Sequence, residues 1–448
     1  MDIILATLNA RYLHPAFGLR YLRANLGALR DRAQILEFDI HQRPLDIAER
    51  ILAHRPRIVG FGVYIWNVTE TTQVVAALKK ISPATTIALG GPEVSYGTDD
   101  LEICQMADHI IPGEGEVAFA ELCRQLVGRA SSPSLPKIGT GQMPVLQDLT
   151  LPYDLYTADD LAHRITYVEA SRGCPFECEF CLSALDAPVR QFPLDRFLAA
   201  MQSLLDRGAH QFKFVDRTFN LHLPTATAIL DFFLERYRPG LFLHFEMIPD
   251  RLPETLREII VQFPPGAIQF EVGLQTFNEE VAARIHRRQD NAQAIANLQW
   301  LRQHTGVHIH ADLIAGLPGE SLESFAAGFD RLAALRPHVI QVGILKRLRG
   351  APIARHDADW QMVYNPAPPY DILQNNLIDF PTMQRLKRFA RYWEIVVNRG
   401  HFPEAAPLQS FARFWEFSDW LYAQTGQTHE IARARLAGLL RRYLGMAR

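Results

Sequence analysis

Nowhere does the sequence run apolar for the ~20 residues that a membrane-spanning helix needs. It has no basic excess either: 46 Lys and Arg stand against 49 Asp and Glu, a formal net charge of −3. The broad positive footprint of a nucleic-acid binder is therefore missing. Met1-Asp2-Ile3-Ile4-Leu5 lacks a basic leader and turns polar at Thr7 and Asn9, so it reads as a first strand rather than a secretion signal. Cysteine is scarce, with five residues in 448. A small odd number without a signal argues against a disulfide framework and points to the reducing cytoplasm.

Three of those five stand within eight positions, as Cys174, Cys178 and Cys181. Packing does not require that density. Thiolates are soft ligands that select zinc, copper(I) or iron–sulfur clusters. A structural zinc site needs a fourth ligand, and His163 and His210 would have to come from a distance. Three thiols can instead hold a four-iron cluster and leave one iron open to a further molecule. Cys104 and Cys123 lie in apolar helical runs and read as buried small hydrophobes.

Around this motif the chain divides into four stretches. In residues 1–127, strand-like runs (2–8, 34–38, 57–65, 85–90, 109–112) alternate with helical ones (15–30, 45–54, 68–81, 116–127). That alternation predicts an α/β, doubly wound, Rossmann-like parallel sheet whose ligand lies at the carboxyl ends of the strands. Residues 128–152 are rich in Gly, Ser, Pro and Thr and read as a linker. Residues 153–350 repeat strand and helix about six times, with strands at 166–170, 211–215, 242–247, 267–273, 308–314 and 339–345. This predicts a partial (β/α)6 barrel with its site at the carboxyl ends. Residues 351–448 predict an α-helical domain: a loop over 360–370, then helices over 381–398, 408–423 and 429–443.

The C-x3-C-x2-C spacing with an aromatic before its last cysteine resembles the radical S-adenosylmethionine (SAM) enzymes. With the glycine-bearing loops upstream, the whole chain resembles the cobalamin (B12)-binding branch of that family. The resemblance implies a [4Fe-4S] cluster on Cys174, Cys178 and Cys181, and SAM held by Phe180, Asp216, Arg217, Thr218, Glu271, Gln275, Gly316 and Leu317. It also implies cobalamin held by Asn9, Tyr12, His14, Tyr64, Ile65 and Trp66, and by Gly90, Gly91, Pro92, Glu93, Gly113 and Glu114. His41 stands in Asp39-Ile40-His41, but Pro44 replaces the glycine of the cobalt-ligating motif, so no histidine is expected below the cobalt. The implied activity is methyl transfer to an unactivated carbon of a small molecule or peptide, with a flavodoxin or ferredoxin as electron donor. Rival readings are a non-methylating rearrangement or oxidation, and a non-catalytic cobalamin and iron–sulfur sensor. Neither a nucleic acid nor a membrane is expected as a partner.

Overall fold

A computed structural model of the chain describes residues 1–127, 136–139, 141, 143–186 and 188–446. The first unit runs β1 (Ile3–Asn9), α1 (Phe17–Ala24), β2 (Ala33–Asp39), α2 (Pro44–Leu52), β3 (Ile58–Gly62), α3 (Val68–Ile81), β4 (Thr86–Gly90), α4 (Glu102–Met106), β5 (His109–Ile111) and α5 (Glu116–Val127). The strands pair in parallel in the order β2-β1-β3-β4-β5, which puts the switch point between β1 and β3. Helices cover both faces, so β1 and β3 are continuous apolar runs rather than alternating ones. Asn67, fully buried, ties the switch together. Its amide donates to the Leu8 and Gly62 carbonyls at 3.0 and 3.2 Å and accepts from the Tyr64 N–H at 2.8 Å.

That last bond ends β3 at Gly62, three residues before the strand expected from the apolar run. The expected helix over 15–30 also divides. Its last turn closes at Ala24, Gly27 takes φ +56°, and a 3-10 turn follows over Gly27–Arg32. Helix α4 was not expected, because five residues are too few to display a period.

The described part of the expected linker is packed rather than free. Ile110 bonds the backbone of Lys137 and Gly139, while Leu146 and Leu149 bury against Tyr21 and Phe192. Residues 128–135, 140 and 142 of that stretch lie outside the described residues.

The second unit holds α6 (Ala158–His163), β6 (Thr166–Val168), the short antiparallel pair β7 (Ser171–Arg172) and β8 (Arg190–Gln191), α7 (Leu194–Asp206), β9 (Gln211–Phe214), α8 (Leu223–Glu235), β10 (Phe242–Met247) and α9 (Glu254–Ile260). It continues through β11 (Ile268–Gln275), α10 (Glu279–Arg284), α11 (Asn291–His304), β12 (His308–Ala315), α12 (Leu322–Ala334) and β13 (Val339–Ile344). Strands β6, β9, β10, β11, β12 and β13 form one parallel six-stranded sheet in that spatial order, the open partial barrel. Its outward residues, among them Phe212, Phe214, Phe245 and Phe270, pack on the helices.

The last unit begins with a small hairpin, β14 (Val363–Tyr364) and β15 (Ile372–Gln374), where a loop was expected. Helix α13 (Phe380–Trp393) runs on as a π turn over Glu394–Asn398; α14 (Phe411–Thr425) and α15 (Arg433–Tyr443) follow. The last helix starts four residues later than its period suggests. Phe389, Trp393, Phe411 and Phe414 build an aromatic core with Phe329 of α12. The Asn398 amide accepts from the Ile340 N–H at 3.1 Å and donates to its carbonyl at 3.0 Å. The tail thus occupies backbone groups of edge strand β13 that pairing would otherwise leave free.

Candidate active site

A cavity of about 260 Å³ opens at the carboxyl end of the barrel. Cys174, Cys178 and Cys181 form one wall, and Arg217, Thr218, Glu246, Glu271, Gln275, Arg287 and Asp312 face them. Gly173 lets the loop turn, with φ +92° and any Cβ only 2.5 Å from the Asp186 carbonyl oxygen. Glu179, inside the cysteine run, anchors the loop from below. Its carboxylate meets His286 at 3.2 Å, His356 at 2.6 Å and Arg355 at 2.5 Å, its N–H donates to the Ile285 carbonyl, and its carbonyl accepts from Ile353.

Burial pushes the Cys174 and Cys178 thiols up, so a stable thiolate there requires cationic help. Arg287, at 3.7 Å from Cys178 Sγ, supplies part of it. Among the described residues no three His, Cys, Asp or Glu side chains converge on a single-ion site. Three soft thiol donors on one cavity wall suit an iron–sulfur cluster.

Phe180, Arg217, Thr218, Glu271 and Gln275 line this cavity, whereas Asp216, Gly316 and Leu317 do not. Asp216 is buried and accepts from the Ala170 N–H and the Ser171 hydroxyl at 2.6 Å, joining the end of β9 to the segment that leads into the cysteine loop. Burial raises its carboxyl to about 7, against those two bonds. Gly316, at φ +91°, faces the Ile372 and Met383 side chains, and Leu317 is core. All three lie just past the carboxyl ends of β9 and β12, where they were expected.

Arg217 pairs with Glu246 at 3.0 Å across the mouth. Burial alone would raise Glu271, but a 2.8 Å bond to His244 and the Lys213 charge outweigh it and hold the carboxylate at about 2. Sequence reasoning missed Lys213, His244 and His310. All three alternate with outward Phe, Leu or Ile residues, so the period-2 pattern alone could have placed them inside. Glu179 and Arg287 left no local signal.

A second cavity, also about 260 Å³, is a groove between α1 and α5 across the carboxyl halves of β3, β4 and β5. Gly60, Gly62, Ala88 and Gly90 strip large side chains from its floor. An added Cβ on Gly62 would stand 3.4 Å from the Tyr64 ring, and one on Gly91 only 2.4 Å from the Val63 carbonyl oxygen. The small-residue floor leaves a slot of the kind an elongated ligand tail fills.

Tyr64, Gly90, Gly91, Gly113 and Glu114 line the groove; Asn9, Tyr12, His14, Ile65, Trp66, Pro92 and Glu93 stand outside it. Asn9 donates to Glu37, and the exposed Tyr12 donates to Asp159. His14 Nδ1 lies 2.7 Å from the Tyr167 hydroxyl, and Arg164 donates to the carbonyls of Tyr12 and His14. The β1–α1 loop is therefore tied to the barrel. Trp66, half exposed, stacks on Tyr64 with centroids 4.4 Å apart. Glu93 is buried between units, accepting from Tyr370 at 2.5 Å and Arg349 at 3.3 Å. Arg172 closes one end of the groove, pairing with Glu114, Glu116 and Glu169 at 2.7–2.8 Å.

Residues 3–123 match the B12 binding domain family, residues 168–332 the radical SAM superfamily, and residues 358–434 a family described as protein of unknown function (DUF4080). An uncharacterised methyltransferase of Pyrococcus horikoshii is 25% identical over 70% of this chain and 72% of its own. The 2-(S-pantetheinyl)-carbapenam-3-carboxylate methyltransferase of Streptantibioticus cattleyicolor is 24% identical over 65% of this chain. The cobalamin-dependent radical SAM methyltransferase TokK of Streptomyces tokunonensis is 23% identical, also over 65%. The match covers 47% of each of these two longer proteins. Among solved structures, the radical SAM methyltransferase TsrM of Kitasatospora setae superposes with a TM-score of 0.63 at 16% identity, over 93% of this chain and 89% of that one. The cobalamin-dependent SAM radical enzyme OxsB gives 0.67 at 13% identity, over 99% and 75%. Both likenesses are of fold.

Proposed function

We propose, from the premise that the chain belongs to the B12-binding radical SAM proteins, that it is a methyltransferase acting on an unactivated carbon of a small molecule. Cys174, Cys178 and Cys181 would hold the [4Fe-4S] cluster, and Phe180, Arg217, Thr218, Glu271 and Gln275 would face SAM beside it. The small-residue groove of Gly62, Gly90 and Gly91 would take the cobalamin tail. When bound, the cluster supplies the electron that cleaves SAM, and cobalamin carries the methyl group.

The chain's own residues orient and separate these events. Glu271, held ionised by His244 and Lys213, is ready to accept from a ribose hydroxyl. Arg217 stays charged beside Glu246 and would pair with the SAM carboxylate. One observation carries the reading: Arg172 lines the groove while Cys174 lines the barrel cavity. Two residues span at most ~7 Å, so the two cofactor sites share one wall. A substrate at that wall is within reach of both. An electron donor such as flavodoxin or ferredoxin would reach the cluster from outside.

Anaerobically reconstituted protein with cobalamin, SAM and a chemical reductant tests this. Both S-adenosylhomocysteine and 5′-deoxyadenosine should accumulate. Production of 5′-deoxyadenosine alone, during substrate turnover, would favour a non-methylating reaction.

A further inference from the structure

Parallel barrels ordinarily fill their interior with branched apolar side chains. This one does not. Strand registers align Tyr167, Lys213, His244, Gln269 and His308 as one row across β6, β9, β10, β11 and β12. The next row up is Glu246, Glu271 and His310, and Asp312 stands above it. Several of these side chains keep partial exposure inside the barrel: 26% for Lys213, 25% for Glu271 and 19% for His310. The chamber is therefore polar and open to solvent. Its rim reaches the first unit through His14, which is bonded to Tyr167.

The acids in the chamber already have partners. Glu246 is paired with Arg217, Glu271 with His244, and Asp312 lies 3.2 Å from His310. The unspent groups are basic or donors. Lys213 touches Glu271 only at 3.5 Å, leaving N–H groups free, and His308 Nδ1 is buried without a hydrogen-bond partner. Buried polar atoms of this kind call for a ligand or water.

We propose that this chamber is the substrate site and that it selects a water-soluble, carboxylate-bearing small molecule, with Lys213 and the unpartnered imidazole of His308 taking the carboxylate. The inference rests on the methyltransferase reading and names its substrate class; an apolar lipid would leave His308 Nδ1 and the spare Lys213 N–H groups without a partner.

Anaerobic equilibrium dialysis tests it without turnover. Reconstituted protein, saturated with SAM and given no reductant, is dialysed against the anionic, the cationic and the chloroform-soluble fraction of a cell extract, and retained compounds are read by mass spectrometry. A compound from the anionic fraction should be enriched on the protein, and Lys213→Met should lower that enrichment about tenfold or more. Lys213→Arg should restore most of it. His308→Phe should also lower it, which keeps the test intact if Lys213→Met does not fold, as judged by iron and cobalamin content. Retention only from the cationic or chloroform-soluble fraction, equal retention by Lys213→Met, or no retention from any fraction would overturn the proposal. Failure of the wild-type protein to take up iron and cobalamin would instead overturn the functional reading beneath it.

Discussion

Among the five cysteines, surroundings separate two kinds. Burial pushes Cys104 up to about 11 and Cys123 to about 12, so both stay protonated thiols in apolar packing. Cys174, Cys178 and Cys181 share a cavity with Arg217 and Arg287. Replacing any of these three by Ala should remove the iron of about four atoms per chain expected for a [4Fe-4S] cluster, while Cys104→Ala and Cys123→Ala should keep it. Iron assay after anaerobic reconstitution decides; retained iron in Cys178→Ala would contradict the assignment.

Glu320 makes a different prediction. It is buried with one oxygen bonded by Thr276 at 2.6 Å and the other unpartnered, and burial raises its carboxyl to about 7. The folded state thus keeps a proton that the unfolded chain releases near its ordinary value of 4.5. Its stabilising contribution is full below that value and is lost as pH rises through about 7, by up to about 3 kcal/mol. Glu320→Gln cannot titrate, so its Tm should fall less than that of wild type between about pH 5 and about pH 8. Parallel Tm profiles would contradict this. The cysteine motif was legible because its residues are adjacent in sequence. The bonds of Asp216 were not legible, because its partners Ala170 and Ser171 come from the segment that leads from β6 into β7.

At the scale of elements, strongly periodic segments read correctly: helix 68–81, helix 116–127 and strand 242–247 match residue for residue. What failed were short or interrupted pieces. The β14–β15 hairpin has two- and three-residue arms, and β3 ends on a side-chain bond from Asn67 that no propensity encodes. The same loop region gives the element-level prediction. Gly91 follows β4 at φ +106°, with the Val63 carbonyl oxygen where a Cβ would lie. Gly91→Ala should move the loop, cost on the order of 1–3 kcal/mol, and strongly weaken cobalamin uptake. Gly240→Ala is a matched control, since Gly240 has φ +94° with nothing within 4 Å. Absorbance of the protein-bound corrin separates them; equal cobalamin in both variants would remove the groove from consideration.

Across the described residues the units are held together by buried charge networks. Arg20 and Arg164 bridge Glu37 of the first unit to Asp160, Arg172 gathers three carboxylates, and Glu93 takes Arg349 and Tyr370 from beyond the barrel. Such networks fix register more than they add stability. None was visible in the sequence, because their members lie as many as 277 positions apart. They press the groove and the cysteine cavity against one wall, and the shared wall is what makes joint use of two cofactors geometrically reasonable. The central claim is that a methyl group passes between them to a carbon. The direct measurement uses SAM deuterated in its methyl group, with reconstituted protein, reductant and the carboxylate-bearing fraction of a cell extract. The account predicts a product heavier by a trideuteromethyl in place of hydrogen, formed alongside S-adenosylhomocysteine and 5′-deoxyadenosine. A turned-over product carrying no deuterated methyl group would contradict it.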